Sequence, residues 1–166
     1  MIFATVGTQL PFDRLIESLD KWQSFQRSSQ VFAQVGPKGK VPSHIEWMAT
    51  LTPQQFAKNI AKCKIVVSHA GMGTILTALG AGKPIILMPR LARYGEHRND
   101  HQLATVANLR NRRGIYVAMD EASLFQKLDS LHALEGGEGL QNVASPELLC
   151  AITDFIETKP REVRHA

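Results

Sequence analysis

"KIVVSHAGMGTILTALGAGKPIILMPR", residues 64–90, decides the fold. β-branched residues dominate Lys64-Ile65-Val66-Val67, and two glycines then bracket one residue at Gly71 and Gly73. A helix-like pattern follows, and a second apolar run, Ile85-Ile86-Leu87-Met88, closes the stretch. Strand, turn, helix and strand in that order make a crossover unit, with its two strands parallel and the connection right-handed.

The alternation continues in both directions. Apolar runs at 2–6, 31–35, 45–49, 65–68, 85–88 and 115–118 read as strands. Phe12, Leu15, Ile16, Leu19 and Trp22 share one face of a helix entered through Pro11. Further helical patterns cover 53–62, 73–81, 99–112, 121–132 and 146–157, the last opened by Ser145 as N-cap, Pro146 in the first turn and Glu147 matched to the dipole. The expectation is one α/β domain over 1–166, a three-layer parallel sheet of about six strands, with 145–158 a C-terminal helix and 159–166 a flexible tail. "LEGGEGLQNVAS" (134–145) reads as a flexible loop.

At 166 residues the chain suits one domain with a full core. A hydrophobic share of 44% marks an ordinary globular protein, and apolar runs such as 84–89 fall far below the ~18 residues of a spanning helix. "MIFATVGTQ" has no basic n-region, so the cytoplasm is the expected compartment. Cys63 and Cys150 have neither metal-ligand spacing nor the look of a disulfide framework, and read as buried small hydrophobes. The net charge of +4 suits an anionic ligand, nucleic acid or an anionic membrane surface. Arg90, Arg93 and Arg98 form one cluster and Arg110, Arg112 and Arg113 another, the second read as a solvated face. Neither is interleaved with aromatics, which argues against nucleic acid as a partner.

In a parallel sheet, ligands bind beyond the carboxyl ends of the strands. "GTQLP", "HAGMG" and "RLARYGEHRND" should therefore meet at one edge. Gly71 and Gly73 fall where a strand passes into a helix, where free N–H groups and the positive dipole end accept phosphate, and Thr74 can add a hydroxyl. A tight turn that merely requires small residues is the competing reading. The dinucleotide fingerprint fails because Leu76 stands where its third glycine belongs, and the ATP-binding loop fails for want of a Gly-Lys-Ser/Thr ending.

"SHAGMGTILTALGAGKPIILMPR" followed by "HQLATVANL" resembles the C-terminal, donor-binding domain of glycosyltransferase family 28, half of a two-domain B-type enzyme with Rossmann-like folds. "ATVGTQLPFDRLI" and "GEHRNDHQ" resemble the soluble subunits of two-part members of that family, in bacterial exopolysaccharide synthesis and in dolichol-linked N-acetylglucosamine transfer. The resemblance covers residues 1 to about 115. It implies a UDP-sugar donor, with Gly7, Thr8 and Gln9 facing the diphosphate and sugar, and the backbone at Thr50 and Leu51 meeting the uracil edge. His69, Gly71, Gly73 and Thr74 would hold the diphosphate, and Gln102, with His101 and Asn99, would face the hexose hydroxyls. Where the family places a ribose-binding glutamate, this chain has Thr77, and Glu96 is the candidate substitute, with pairing to Arg93 or Arg98 as its alternative.

The resemblance further implies half an enzyme. The base that deprotonates the acceptor would come from a membrane-anchored partner holding a lipid-linked sugar. No Asp-x-Asp occurs in the chain, so neither metal nor other cofactor is expected. Oriented N–H groups, helped by His69 if protonated, would stabilise the departing diphosphate. Arg90, Arg93 and Arg98 would suit a uronic acid carboxylate, a diphosphate or a lipid headgroup. A non-catalytic nucleotide-sugar-binding module that regulates a partner is the alternative reading, and a flavodoxin-like redox domain a third.

Overall fold

The computed structural model describes residues 1–26, 29–137 and 150. Its elements run β1 (Ile2–Thr5), α1 (Asp13–Phe25), β2 (Val31–Gln34), β3 (Glu46–Met48), α2 (Pro53–Lys62), β4 (Ile65–His69), α3 (Met72–Gly80), β5 (Ile85–Met88), α4 (His101–Leu109), β6 (Ile115–Val117) and α5 (Glu121–Asp129). The strands form one sheet in the order β3-β2-β1-β4-β5-β6, and every neighbouring pair is parallel. The chain starts in the middle, builds to one edge, and then crosses over to build the other. The order thus reverses between β1 and β4, the switch point where such sheets bind ligands.

Period-two alternation sorts the core into two layers. Ile2, Ala4 and Val6 pack with Phe12, Leu15, Leu19 and Trp22 of the α1 side and with Leu124 and Leu128 of α5. Phe3, between them in sequence, faces the other way and packs with Ile60 of α2, Ile75 and Ala78 of α3, and Val106 of α4. β1, β4 and β5 are covered on both faces, which is why they read as nearly unbroken apolar runs. β3 is an edge strand exposed along its whole length, so its pattern is the weakest.

The α4 pattern is trimmed at both ends relative to 99–112, and the final turn of the 121–132 pattern becomes a separate 3-10 turn at Leu131–Ala133. Residues 134–137, the start of the expected flexible loop, are seated instead. Tyr116 Oη donates to Glu135 O (3.1 Å), and Glu135 N donates to Tyr116 Oη (2.8 Å). The backbones of Gly136 and Gly137 lie so close to Gly82 and Gly114 that a Cβ on Gly136 or Gly114 would collide. The rest of that loop, the 145–158 helix and the 159–166 tail lie outside the described residues. Cys63 is buried as expected, whereas Cys150 is exposed. Among the described residues no helix is long and apolar enough to cross a membrane.

Candidate functional site

At the carboxyl ends of β1, β2 and β4 the strands carry a short polar ladder. Register places Thr5 between Gln34 and Ser68. Thr5 Oγ1 donates to Gln34 Oε1 (2.6 Å), and Ser68 Oγ donates to the Thr5 carbonyl (2.8 Å). Above this floor opens a cleft of about 840 Å³, within the range of small-molecule sites. A smaller hollow of about 370 Å³ lies at the opposite end of the sheet, by Met1, Trp22 and Leu128. The loops after β1, β4 and β5 reach only the first.

Two buried side chains tie those three loops together. Gln102, on the first turn of α4, accepts at Oε1 from Ala70 N and from Arg90 N, both at 3.0 Å, joining the β4 loop to the β5 loop. Two backbone donors on one oxygen fix the amide's orientation, so its NH₂ is the group left for a ligand. Arg90, 3% exposed, joins the β5 loop to the β1 loop. Its guanidinium donates to Val6 O (2.9 Å), Leu10 O (2.7 Å), Pro11 O (2.5 Å) and Glu96 O (3.3 Å), and lies over the Phe12 ring. Burial pushes its pKa down to about 10, so it stays charged at neutral pH.

The β4–α3 turn answers why glycines stand there. The His69 ring lies between Gly7 and Gly71: a Cβ on Gly71 would run into Nε2, and one on Gly7 would stand 2.8 Å from Cε1. Gly71 therefore makes room for an imidazole, and Gly7 does the same while holding a φ of +77°. Gly73 differs, for a Cβ there meets nothing within 4 Å. The N-caps of α2 and α5, Thr52 and Asp120, close capping boxes, but α3 begins at Gly71 with no capping side chain. Its first intrahelical bond is Ile75 N to Gly71 O, so the N–H groups of Met72, Gly73 and Thr74 are left for a ligand.

The cleft brings together Gly7, Thr8, Gln9, Leu51, His69 and Gly71, along with Gly73, Thr74, His101 and Gln102. Thr77 lines it too, as do Pro53, Phe56 and Ala57, which with Leu51 form an apolar end. Thr50 and Asn99 are not in its wall; Asn99 Oδ1 accepts from His101 Nδ1 (2.5 Å) and orients that ring. Glu96 does not serve as the substitute ribose ligand. Its oxygens accept from Arg14 Nε (2.6 Å) and Nη2 (2.9 Å) and from Leu91 N (2.8 Å), and it is not in the cleft wall. Neither Arg93 nor Arg98 is its partner, because the fold supplies a cation from α1 that sequence proximity hid. The arginine cluster is no carboxylate reader either: Arg90 is committed to backbone carbonyls, Arg93 sits on the Tyr94 ring, and neither Arg93 nor Arg98 lines the cleft.

His69 is not a standing cation. Burial, the Arg90 guanidinium and His97 lower its pKa to about 4, against the Thr5 carbonyl, which favours the charged ring. Gln34 and His97 line the cleft without having been singled out as ligands. The "GEHRNDHQ" motif held His97, whereas no sequence signal marks Gln34, which is placed by strand register alone. Among the described residues, no aspartate or glutamate lines the cleft.

A doubly wound sheet opens at its switch point into a cleft with an uncapped helix terminus and, among the described residues, no acidic lining, a geometry that suits an anionic group. The model of the glycosyltransferase family 28 C-terminal domain matches residues 1–135, and the chain belongs to that family of glycosyltransferases. The UDP-N-acetylglucosamine transferase subunit ALG13 of Yarrowia lipolytica is 27% identical over 146 residues, covering 80% of this chain and 72% of that protein. MurG of Acinetobacter baumannii superposes with a TM-score of 0.65 at 18% identity, over 95% of this chain and 49% of that one. The calicheamicin glycosyltransferase CalG4 gives 0.55 at 18% identity, over 80% and 34%. The chain thus spans about a third to a half of the solved glycosyltransferases it matches.

Proposed function

We propose that this chain is the donor-binding subunit of a two-part, UDP-sugar-dependent hexosyltransferase. Its partner is a membrane-anchored subunit that holds a lipid-linked sugar acceptor, in exopolysaccharide or related glycan synthesis. The observation that carries the reading is the acid-free cleft into which the uncapped N-terminus of α3 opens. Its N–H groups and dipole suit the diphosphate, and the apolar end at Leu51, Pro53 and Phe56 suits a uracil ring. The Gln102 amide is aimed to donate to a sugar hydroxyl. Leaving-group charge is met by N–H groups and His69 rather than by a metal.

Among the described residues no carboxylate lines the cleft, and the base that deprotonates the acceptor hydroxyl is assigned to the partner. The subunit named among the relatives supports the two-part reading. The chain works in the cytoplasm and is recruited to the inner face of the membrane by that partner. The test is reconstitution. The purified chain binds UDP without transferring sugar, and transfer appears in membranes carrying the partner. Transfer to a lipid-linked acceptor by the isolated chain would refute the two-part reading, and binding with no transfer in any partnered membrane would favour a regulatory module.

A further inference from the structure

We propose that His69 engages the donor diphosphate as an imidazolium, taking up one proton from solvent as the ligand binds; this rests on the proposed diphosphate site. The geometry that requires it starts at Ser68. The single hydroxyl hydrogen of Ser68 is given to the Thr5 carbonyl at 2.8 Å, and the same Oγ stands 3.2 Å from His69 Nδ1. With its hydrogen committed, Ser68 Oγ can only accept, so the neutral ring carries its proton on Nδ1. That leaves Nε2, on the Gly71 side of the ring where α3 opens, as a lone pair.

A lone pair is the wrong group to meet a phosphate oxygen. The ring is packed closely by Gly7 and Gly71, where a Cβ on either would stand less than 3 Å from it. Three outcomes are open when a diphosphate arrives. The ring stays away from the ligand, Ser68 turns its hydrogen to Nδ1 and abandons Thr5 O, or Nε2 takes a proton from solvent.

The surroundings favour the last. The groups facing the ring that carry or can take charge are Arg90 and His97 from the β5 loop, and both oppose a second proton when the cleft is empty. His101 of α4 lines the same cleft, while the β1 loop (Gly7 to Gln9) and the first turn of α3 contribute no titratable side chain. The empty site, with a ring pKa of about 4, therefore keeps His69 neutral. A diphosphate supplies the negative charge that the cleft wall lacks and reverses the balance. The charge that grows on the β-phosphate as the sugar leaves would strengthen the same contact, so stabilisation is greatest when the bond breaks.

The test uses the full chain with UDP. Ring ¹⁵N NMR of histidine-labelled protein at pH 7, with the His69 signals assigned by their loss in His69→Gln, should give one protonated ring nitrogen without UDP and two with UDP at saturation. In parallel, UDP affinity is measured from pH 6 to 8 for wild type and for His69→Gln, whose amide donates without titrating. The ratio of the two affinities cancels the titration of UDP itself. It should fall by close to tenfold per pH unit for as long as the bound ring outholds solvent for its proton. A saturated complex whose His69 ring keeps one proton on either nitrogen, or a ratio flat across pH 6 to 8, overturns the proposal. If UDP fails to bind at all, the proposed function falls first and this inference with it.

Discussion

Substituting alanine at the two glycines of the β4–α3 turn separates the steric from the ligand-binding role of that turn. At Gly71 the backbone is in an ordinary extended region (φ −88°, ψ 127°), so alanine meets no backbone strain. Its methyl would instead meet the His69 ring, where Cδ2 and Cε1 stand 2.9 Å from the ideal Cβ and Nε2 is nearer still. Gly7 packs against the same ring and leaves it little room to give. Overpacking of this kind costs about 1–3 kcal/mol. At Gly73 the methyl meets nothing within 4 Å, and alanine in place of glycine in a helix gains up to about 1 kcal/mol. The two single-methyl variants should therefore differ by about 1–4 kcal/mol in stability, on the order of 10 °C in Tm for a domain of this size. Chemical unfolding with parallel UDP titration reads both effects. Gly71→Ala should be destabilised. Gly73→Ala should fold at least as well as wild type yet bind UDP more weakly, and Gly73→Val should lose UDP altogether. Equal stability of the two alanine variants would refute the packing account, and unchanged UDP affinity in Gly73→Val would refute the anion site.

Arg90→Met strips the donor from four loop carbonyls and should cost about 3–5 kcal/mol, with Arg90→Lys intermediate; a loss under about 1 kcal/mol in urea unfolding would show that the loops hold themselves. Because the folded pKa of His69 lies near 4, below its ordinary 6.5, the unfolded chain binds the extra proton between those values. Its share of stability is thus complete above pH 6.5 and is lost as pH falls toward 4, by up to about 3 kcal/mol, and His69→Gln should flatten that part of the stability-pH curve measured without ligand. UDP affinity should be unchanged by excess EDTA with or without magnesium; a strict metal requirement would contradict leaving-group stabilisation by helix and N–H groups.

The sheet was legible because its central strands are buried on both faces and its helices are amphipathic, and these are properties of sequence spacing. The cleft was legible where a strand-to-helix turn builds its wall, as at His69, Gly71, Gly73 and Thr74. What resisted reading were the long-range polar ties. That Glu96 serves Arg14 and that Arg90 serves carbonyls from Val6 to Pro11 are consequences of β1 and β5 ending on the same side of the sheet. Charge types and local spacing point instead to neighbours such as Arg93 and Arg98. Gly71 gave the right motif for an incomplete reason, since the nearest thing to its backbone is the protein's own histidine.

The walls of the cleft come from residues near 7, near 70 and near 100, on both sides of the β1–β4 switch point. No fragment holding only the first three strands or only the last three owns a complete wall. Any ligand of this cleft therefore recognises the fully assembled sheet and acts as a cross-brace between its halves. A ligand that binds only the native state adds RT ln(1 + [L]/Kd) to stability, about 2.7 kcal/mol at a hundredfold excess over Kd. Resistance to proteolysis and heat should track ligand supply, so that the abundance of the chain becomes a gauge of whichever pool fills the cleft.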